Sequence, residues 1–130
     1  MISLFAAALL EGRQPTVYGD GEQTRDFTYV ANVVDAVLRA CDAPDVAGEV
    51  FNVATGGRIS LNQLLDTLNG ILGLSIRAVH REARVGDVRD SQADIAKARA
   101  RLGYEPSVGL EDGLRLTLAW YRSEYRTPGA

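Results

Sequence analysis

Apolar positions recur with a helical period in five stretches of this chain, and the segments between them are short. Ile2, Phe5, Leu9 and Leu10 fall on one helical face, which predicts a core helix that Gly12 to Pro15 ends. Val30, Val33, Val34, Val37, Leu38 and Cys41 repeat the pattern as an amphipathic helix, until Asp42 to Gly48 supplies Pro44 and a loop. Ser60 and Gln63 have capping-box spacing at the head of a helix through Leu61, Leu64, Leu65, Leu68 and Leu72, and Gly73 closes it. Asp94 is placed to cap a helix over Ile95 to Leu102 that Gly103 ends. A last helix begins near Leu110 and turns Leu110, Leu114, Leu118 and Tyr121 inward.

Four short strands are expected between these helices. Thr16-Val17-Tyr18 leads into the turn Gly19-Asp20-Gly21, and a second strand is expected over Asp26 to Tyr29. Val50 to Ala54 (VFNVA) is a compact apolar run of the kind buried on both faces of a parallel sheet, and it needs a neighbour on each side. Thr55-Gly56-Gly57 turns the chain, and Ile76 to Val79 is the fourth strand. The fold class is therefore α/β, in one domain over residues 1–130 with no internal linker, repeat or low-complexity tract.

Composition narrows the function. A chain of 130 residues that is 46% hydrophobic is large enough for one core. A net charge of −3 argues against a nucleic-acid partner, which demands a net basic surface. The opening ISLFAAALL is too short to span a bilayer and lacks the basic start of a signal peptide, so a cytoplasmic protein with no membrane partner is expected. One cysteine, Cys41, excludes an internal disulfide, and the single histidine, His80, leaves too few soft ligands for a structural zinc site. Arginine supplies thirteen of the fourteen basic residues, a bias that suits bidentate phosphate recognition and equally reflects a GC-rich coding sequence.

The most informative segments are VYGDGEQTRDFTYV at Val17 to Val30 and RVGDVRDSQAD at Arg84 to Asp94. Together they resemble the C-terminal, substrate-binding part of the NAD-dependent epimerase/dehydratase family, the extended short-chain dehydrogenase/reductase group. The resemblance is nearest to epimerases acting on UDP-glucose or UDP-N-acetylglucosamine. It implies a fragment of the extended fold that lacks the N-terminal Rossmann part, with Val50 to Ala54 pairing to strands that part provides. Taken alone, the chain would expose an unpaired edge and an apolar face. An apolar helix opening directly at Met1 is itself expected of a chain that starts within a longer gene product.

Two hallmarks of the family's catalytic half have no counterpart. Its dinucleotide loop needs G-x-x-G-x-x-G between a strand and a helix, whereas Gly70 and Gly73 are followed by Ile76. Its proton-transfer pair is Tyr-x-x-x-Lys, whereas Lys97 is preceded four places earlier by Ala93. The resemblance therefore implies NAD as cofactor of the intact enzyme, no cofactor bound by this chain alone, and no catalysis by it alone. The intact enzyme would also form a homodimer, through helices outside this chain.

The same resemblance implies a set of substrate-binding residues. Arg25 and Arg84 stand where the family clamps the diphosphate of a nucleotide sugar, and guanidinium geometry suits that task. Asp87 matches the position that binds ribose hydroxyls. Val17 and Tyr18 match the segment that packs on the pyrimidine and contacts it through backbone groups, with Phe27 nearby, and Asn52 matches an asparagine near the phosphates. Ser91 matches the residue beside the sugar's C2 substituent, where a small side chain admits an N-acetyl group. Read without the family, the arginines are ordinary loop cations, Asp87 is a turn carboxylate, Ser91 is part of a cap, and the strand residues are core. Asp20, Glu22 and Asp26 are read as turn and solvent carboxylates, and His80 lacks a nucleophile partner.

Three functions remain open. The first is the UDP-sugar-binding part of a 4-epimerase. The second is the matching part of a dTDP-glucose 4,6-dehydratase or UDP-glucuronate decarboxylase, although such dehydratases tend to carry R-x-G-H-D where this chain has Arg84-Val85-Gly86-Asp87. The third is a stand-alone nucleotide-sugar-binding module that docks on a separate cofactor domain.

Overall fold

A computed structural model of the chain describes residues 1–124. Five helices carry the fold: α1 (Ile2–Leu10), α2 (Val30–Asp42), α3 (Leu61–Leu72), α4 (Ala96–Leu102) and α5 (Leu110–Glu124). Four strands are short: β1 (Thr16–Tyr18), β2 (Thr24–Arg25), β3 (Ile59–Ser60) and β4 (Val79–Arg81). β1 pairs in parallel with β4, placing Val17 opposite His80, while β2 and β3 form an antiparallel pair.

Helical period gives the main core. Phe5 and Leu9 of α1, Leu61, Leu64, Leu65 and Leu68 of α3, and Leu114 and Leu118 of α5 meet with Val17 in one buried cluster. The ends of α3 follow the sequence closely. Ser60 Oγ accepts from Gln63 N–H while Gln63 Oε1 accepts from Ser60 N–H, and Gly73 closes the helix in the left-handed region at φ 67°. At α4, Asp94 Oδ1 accepts from Ala96 N–H, so the expected cap is made although the helix begins one residue later than expected.

A second, smaller cluster gathers Ala36, Ala54, Ile95, Ala98, Leu102 and Tyr104, with Phe51 and Val53 partly buried against it. Here three expectations need correction. Val30, Val33, Val34, Val37, Leu38 and Cys41 do recur on α2, but that face is exposed, Val37 at 56%, and the residues α2 buries are Asn32 and Ala36. Val50 to Ala54 forms no ladder with any described residue and Val50 is 81% exposed, so within this chain the segment is no strand and lacks the neighbours expected of an absent half. Its carbonyls are met instead by side chains, Val50 O by Lys97 Nζ at 2.9 Å and Ala54 O by the Tyr104 hydroxyl at 2.8 Å. The expected strand over Asp26 to Tyr29 lies at Thr24–Arg25, because the Asp26 carboxylate turns away to the 55–56 loop and the chain enters α2 at Val30.

The fourth strand is displaced in the same way. Val79–Arg81 pairs with β1, whereas Ile76 is held by Asn69, whose side chain accepts from Ile76 N–H and donates to Ile76 O.

Candidate functional site

One cleft of about 320 Å³ is lined by Met1, Arg25, Leu61, Arg84, Val85, Gly86 and Asp87. Both arginines of the two sequence motifs reach it, although they are 59 positions apart (84 − 25). Arg25 comes from β2. Its guanidinium donates to the Thr24 carbonyl at 2.7 Å and pairs with the Asp87 carboxylate at 2.8 Å, half-shielded from solvent. Arg84 comes from the exposed segment after β4, and its guanidinium lies over the Tyr18 ring at 3.8 Å from the ring centre. Hydrogen bonding to Arg84, and then the charge of Arg84, hold the Tyr18 phenol below its ordinary pKa.

Two cations and one carboxylate thus share a concave surface, and the Tyr18 ring backs one of the cations. Such a surface can grip an oxyanion with the guanidiniums while the carboxylate accepts from hydroxyl groups. Phe27 lines an adjoining hollow with Arg25, Thr55, Gly57, Arg58, Ile59 and Leu110. The aromatic side chain also packs against the main core, so it serves both surfaces.

Other expected site residues stand apart from the cleft lining. The Val17 side chain is fully buried in the core, so only its backbone could meet a ligand. Asn52 is exposed and donates to the Asp94 carbonyl at 3.3 Å. Ser91 is exposed, its N–H donating to the Thr24 carbonyl at 3.2 Å, which brings it beside β2. His80 lies on β4, its Nδ1 2.8 Å from the Gly19 carbonyl.

Sequence reasoning missed the residues that shape these surfaces. Asp26 accepts from Thr55 N–H at 3.1 Å, Thr55 Oγ1 at 2.5 Å and Gly56 N–H at 3.0 Å, so this carboxylate builds the 55–57 loop instead of facing solvent. Gln23 is buried and donates to the Tyr18 carbonyl at 2.7 Å, fixing the end of β1. Asn32 on α2 accepts from Ser107 and Val108 N–H at 3.0 Å each and donates to Val108 O at 2.9 Å.

Gly70, Gly73 and Lys97 do not form the family's dinucleotide loop or proton-transfer pair. Gly70 lies in the last turn of α3 and Gly73 is its C-cap, so neither stands between a strand and a helix N-terminus. Lys97 is engaged by the Val50 carbonyl and by Glu49 at 3.1 Å, with its ammonium over the Phe51 ring. Among the described residues no cluster could hold a metal ion, and no helix is long and apolar enough to cross a membrane.

A family model described as GDP-mannose 4,6 dehydratase matches residues 1–117. A UDP-glucose 4-epimerase of Mycolicibacterium smegmatis is 37% identical over 124 residues, which is 95% of this chain and 39% of that protein. The chain belongs to the NAD-dependent epimerase/dehydratase family. Two solved family members have the same arrangement. The UDP-glucose 4-epimerase of Thermotoga maritima, determined with UDP-glucose, superposes with a TM-score of 0.88 at 42% identity, covering 94% of this chain and 39% of its own. The UDP-glucuronic acid 4-epimerase of Bacillus cereus, in complex with UDP-glucuronic acid and NAD, gives 0.90 at 30% identity, covering 95% and 40%. The chain spans about two fifths of the length of the family members it matches. Its mixed α/β arrangement is that of the C-terminal part of the extended fold.

Proposed function

We propose that this chain is the nucleotide-sugar-binding part of a UDP-hexose 4-epimerase. The observation that carries the reading is the convergence of Arg25, Arg84 and Asp87 on one cleft, from motifs distant in sequence. In this reading Arg25 and Arg84 clamp the diphosphate and Asp87 accepts from the ribose hydroxyls. The pyrimidine packs near Tyr18 and Phe27 and meets the backbone at Val17 and Tyr18, while Asn52 approaches the phosphates. Ser91 lies beside the sugar's C2 substituent, and its small side chain favours N-acetylhexosamines as well as hexoses.

Binding a diphosphate requires the Arg25–Asp87 pair to part, each group moving to its own portion of the ligand. The exchange is inexpensive because a partly exposed ion pair contributes about 0–1 kcal/mol, whereas each charge-assisted bond to phosphate contributes about 1.5–3 kcal/mol.

The dinucleotide and the proton-transfer pair would belong to a Rossmann half joined to this chain. The exposed valines of α2 and the absence of a strand ladder at Val50 to Ala54 among the described residues support such a neighbour, as does coverage of only 39% of the Mycolicibacterium smegmatis enzyme. This chain's part in the reaction is to position the sugar; it performs no bond-making step itself.

Calorimetric titration of the 130-residue chain with UDP-glucose tests the reading. Arg84→Ala is expected to weaken binding by about 10- to 150-fold, the equivalent of one charge-assisted bond. Unchanged affinity in that variant would remove the diphosphate clamp. No interconversion of UDP-glucose and UDP-galactose is expected from the chain with added NAD, and measurable turnover would contradict the division of labour.

A further inference from the structure

Every residue from Arg81 to Gln92 is exposed, yet this stretch carries Arg84, Asp87 and Ser91. Its own internal support among the backbone bonds is one turn contact, Asp87 N–H to the Arg84 carbonyl at 3.2 Å. Something outside the stretch must therefore fix where its side chains stand relative to Arg25.

The support comes from the other motif. Thr24 N–H donates to the Arg89 carbonyl at 2.9 Å, Ser91 N–H donates to the Thr24 carbonyl at 3.2 Å, and Thr24 and Asp90 form an isolated parallel bridge. Two side-chain contacts flank that bridge. Thr24 Oγ1 donates to Asp90 Oδ1 at 2.6 Å, and Arg89 Nη1 pairs with Asp20 Oδ1 at 2.8 Å. Asp20 is itself immobilised, because the same oxygen accepts from Glu22 N–H at 3.0 Å. The turn holding it is docked on the first turn of α3. Asn62 Nδ2 donates to the Asp20 carbonyl at 3.0 Å and to Glu22 Oε1 at 2.5 Å. Gly21, at φ 81°, lies so close to Asn62 that a Cβ there would collide with its side chain. A continuous set of contacts thus runs from the core helix α3, through the 20–22 turn, to Arg89 and the segment bearing Arg84.

We infer that Asp20 and Arg89, together with Thr24 and Asp90, are positioning residues that clasp the 84–91 segment onto β2 and set the placement of Arg84 and Asp87 against Arg25. The inference rests on the diphosphate reading of the cleft. None of the four is assigned a contact with the nucleotide sugar in that reading. Hydrogen bonding to Arg89, and then to Glu22 N–H, holds the Asp20 carboxyl below its usual range, so the pair is charged at neutral pH.

Charge alone and clasping predict opposite signs for Asp20, which makes the test decisive. If Asp20 acted only as a nearby negative charge, Asp20→Ala would tighten the binding of an anionic ligand. As a clasp, Asp20→Ala and Arg89→Ala both weaken it, by about 3- to 5-fold each, the scale of an exposed ion pair. Asp20→Asn keeps both acceptor contacts and stays closer to the parent. The swap Asp20→Arg with Arg89→Asp recovers affinity relative to either single exchange. UDP is the probe, followed by calorimetry, and amide hydrogen exchange at Thr24 and Ser91 is read in the same proteins without ligand.

Exchange at those two amides is expected to accelerate by about 5-fold in the alanine variants, while Leu64 and Leu68 in α3 are unchanged. Unaltered exchange at Thr24 and Ser91 overturns the clasp whether or not UDP binds. Tighter UDP binding in Asp20→Ala overturns it as well. Failure of the parent chain to bind UDP instead removes the functional reading, and the exchange measurement still decides the clasp.

Discussion

The α1–α3–α5 side of the molecule closes a core within the chain, whereas the α2–α4 side presents apolar residues that no described residue covers. Leu64 and Leu68 of α3 are fully buried, and the cleft residues Arg25, Arg84 and Asp87 border Leu61 of that core. Val34, Val37 and Leu38 of α2 are exposed, and the extended segment Val50 to Ala54 has side chains in place of strand neighbours. Both sides carry helices of clear amphipathic period. The contrast teaches that periodicity identifies a face which can be buried, while the other elements present decide whether it is.

The largest effect is expected from breaking the self-sufficient side. Leu68→Ala removes a fully buried side chain and should cost about 2–5 kcal/mol of unfolding free energy, measured by urea denaturation. A loss below about 1 kcal/mol would place the core elsewhere. A smaller effect is expected on the other side from Tyr104→Phe. It deletes the hydroxyl that donates to the Ala54 carbonyl and leaves a buried acceptor without that partner, at about 1–3 kcal/mol. Burial, and then the charges of Asp35 and Asp26, raise the Tyr104 phenol pKa. A raised folded-state pKa means a contribution present below the unfolded value near 10 and lost as pH rises through the folded one. Alkaline unfolding should therefore lose one proton-linked component in Tyr104→Phe, and an identical pH profile would discount the buried hydroxyl.

Charging the open face sharpens the comparison further. Val34→Lys with Val37→Lys should change stability by only about 0.5 kcal/mol or less, since both positions already face solvent. Sedimentation velocity should then report less self-association than in the parent, because a contiguous apolar patch has been interrupted. A stability loss above about 2 kcal/mol would mean that the face is covered after all.

The same contrast explains what could be read in advance. All five helices follow from local spacing, and the Ser60–Gln63 box and the Gly73 and Gly103 caps need only a few neighbouring residues. Ladders depend on distant partners, which is why β2 falls beside its expected segment and β4 shares only Val79 with its own. Arg25, Arg84 and Asp87 were legible as a set because two motifs carry them. Asp26, Asn32 and Tyr104 were not, because their partners lie at Thr55, Val108 and Ala54, and a polar residue does not announce a distant partner in sequence. An exposed apolar face was expected, but not that α2 carries it, since its valines have the same period as the buried leucines of α3.

The smallest expected effect concerns the cleft itself, on the self-sufficient side. Arg84 lies over the Tyr18 ring and lowers the phenol pKa through hydrogen bonding and charge. A diphosphate that drew the guanidinium toward its own oxygens would weaken that influence, and its own negative charge would oppose ionisation of the phenol. Spectroscopic titration of the parent, with Tyr18→Phe subtracted to isolate this ring from the other tyrosines, should therefore find the Tyr18 pKa rising when UDP is bound. It should also find the pKa raised in Arg84→Ala without ligand, and UDP should then shift it less. A Tyr18 pKa that does not move with UDP in the parent would separate Arg84 from the phosphates, leaving Arg25 to hold the diphosphate from β2.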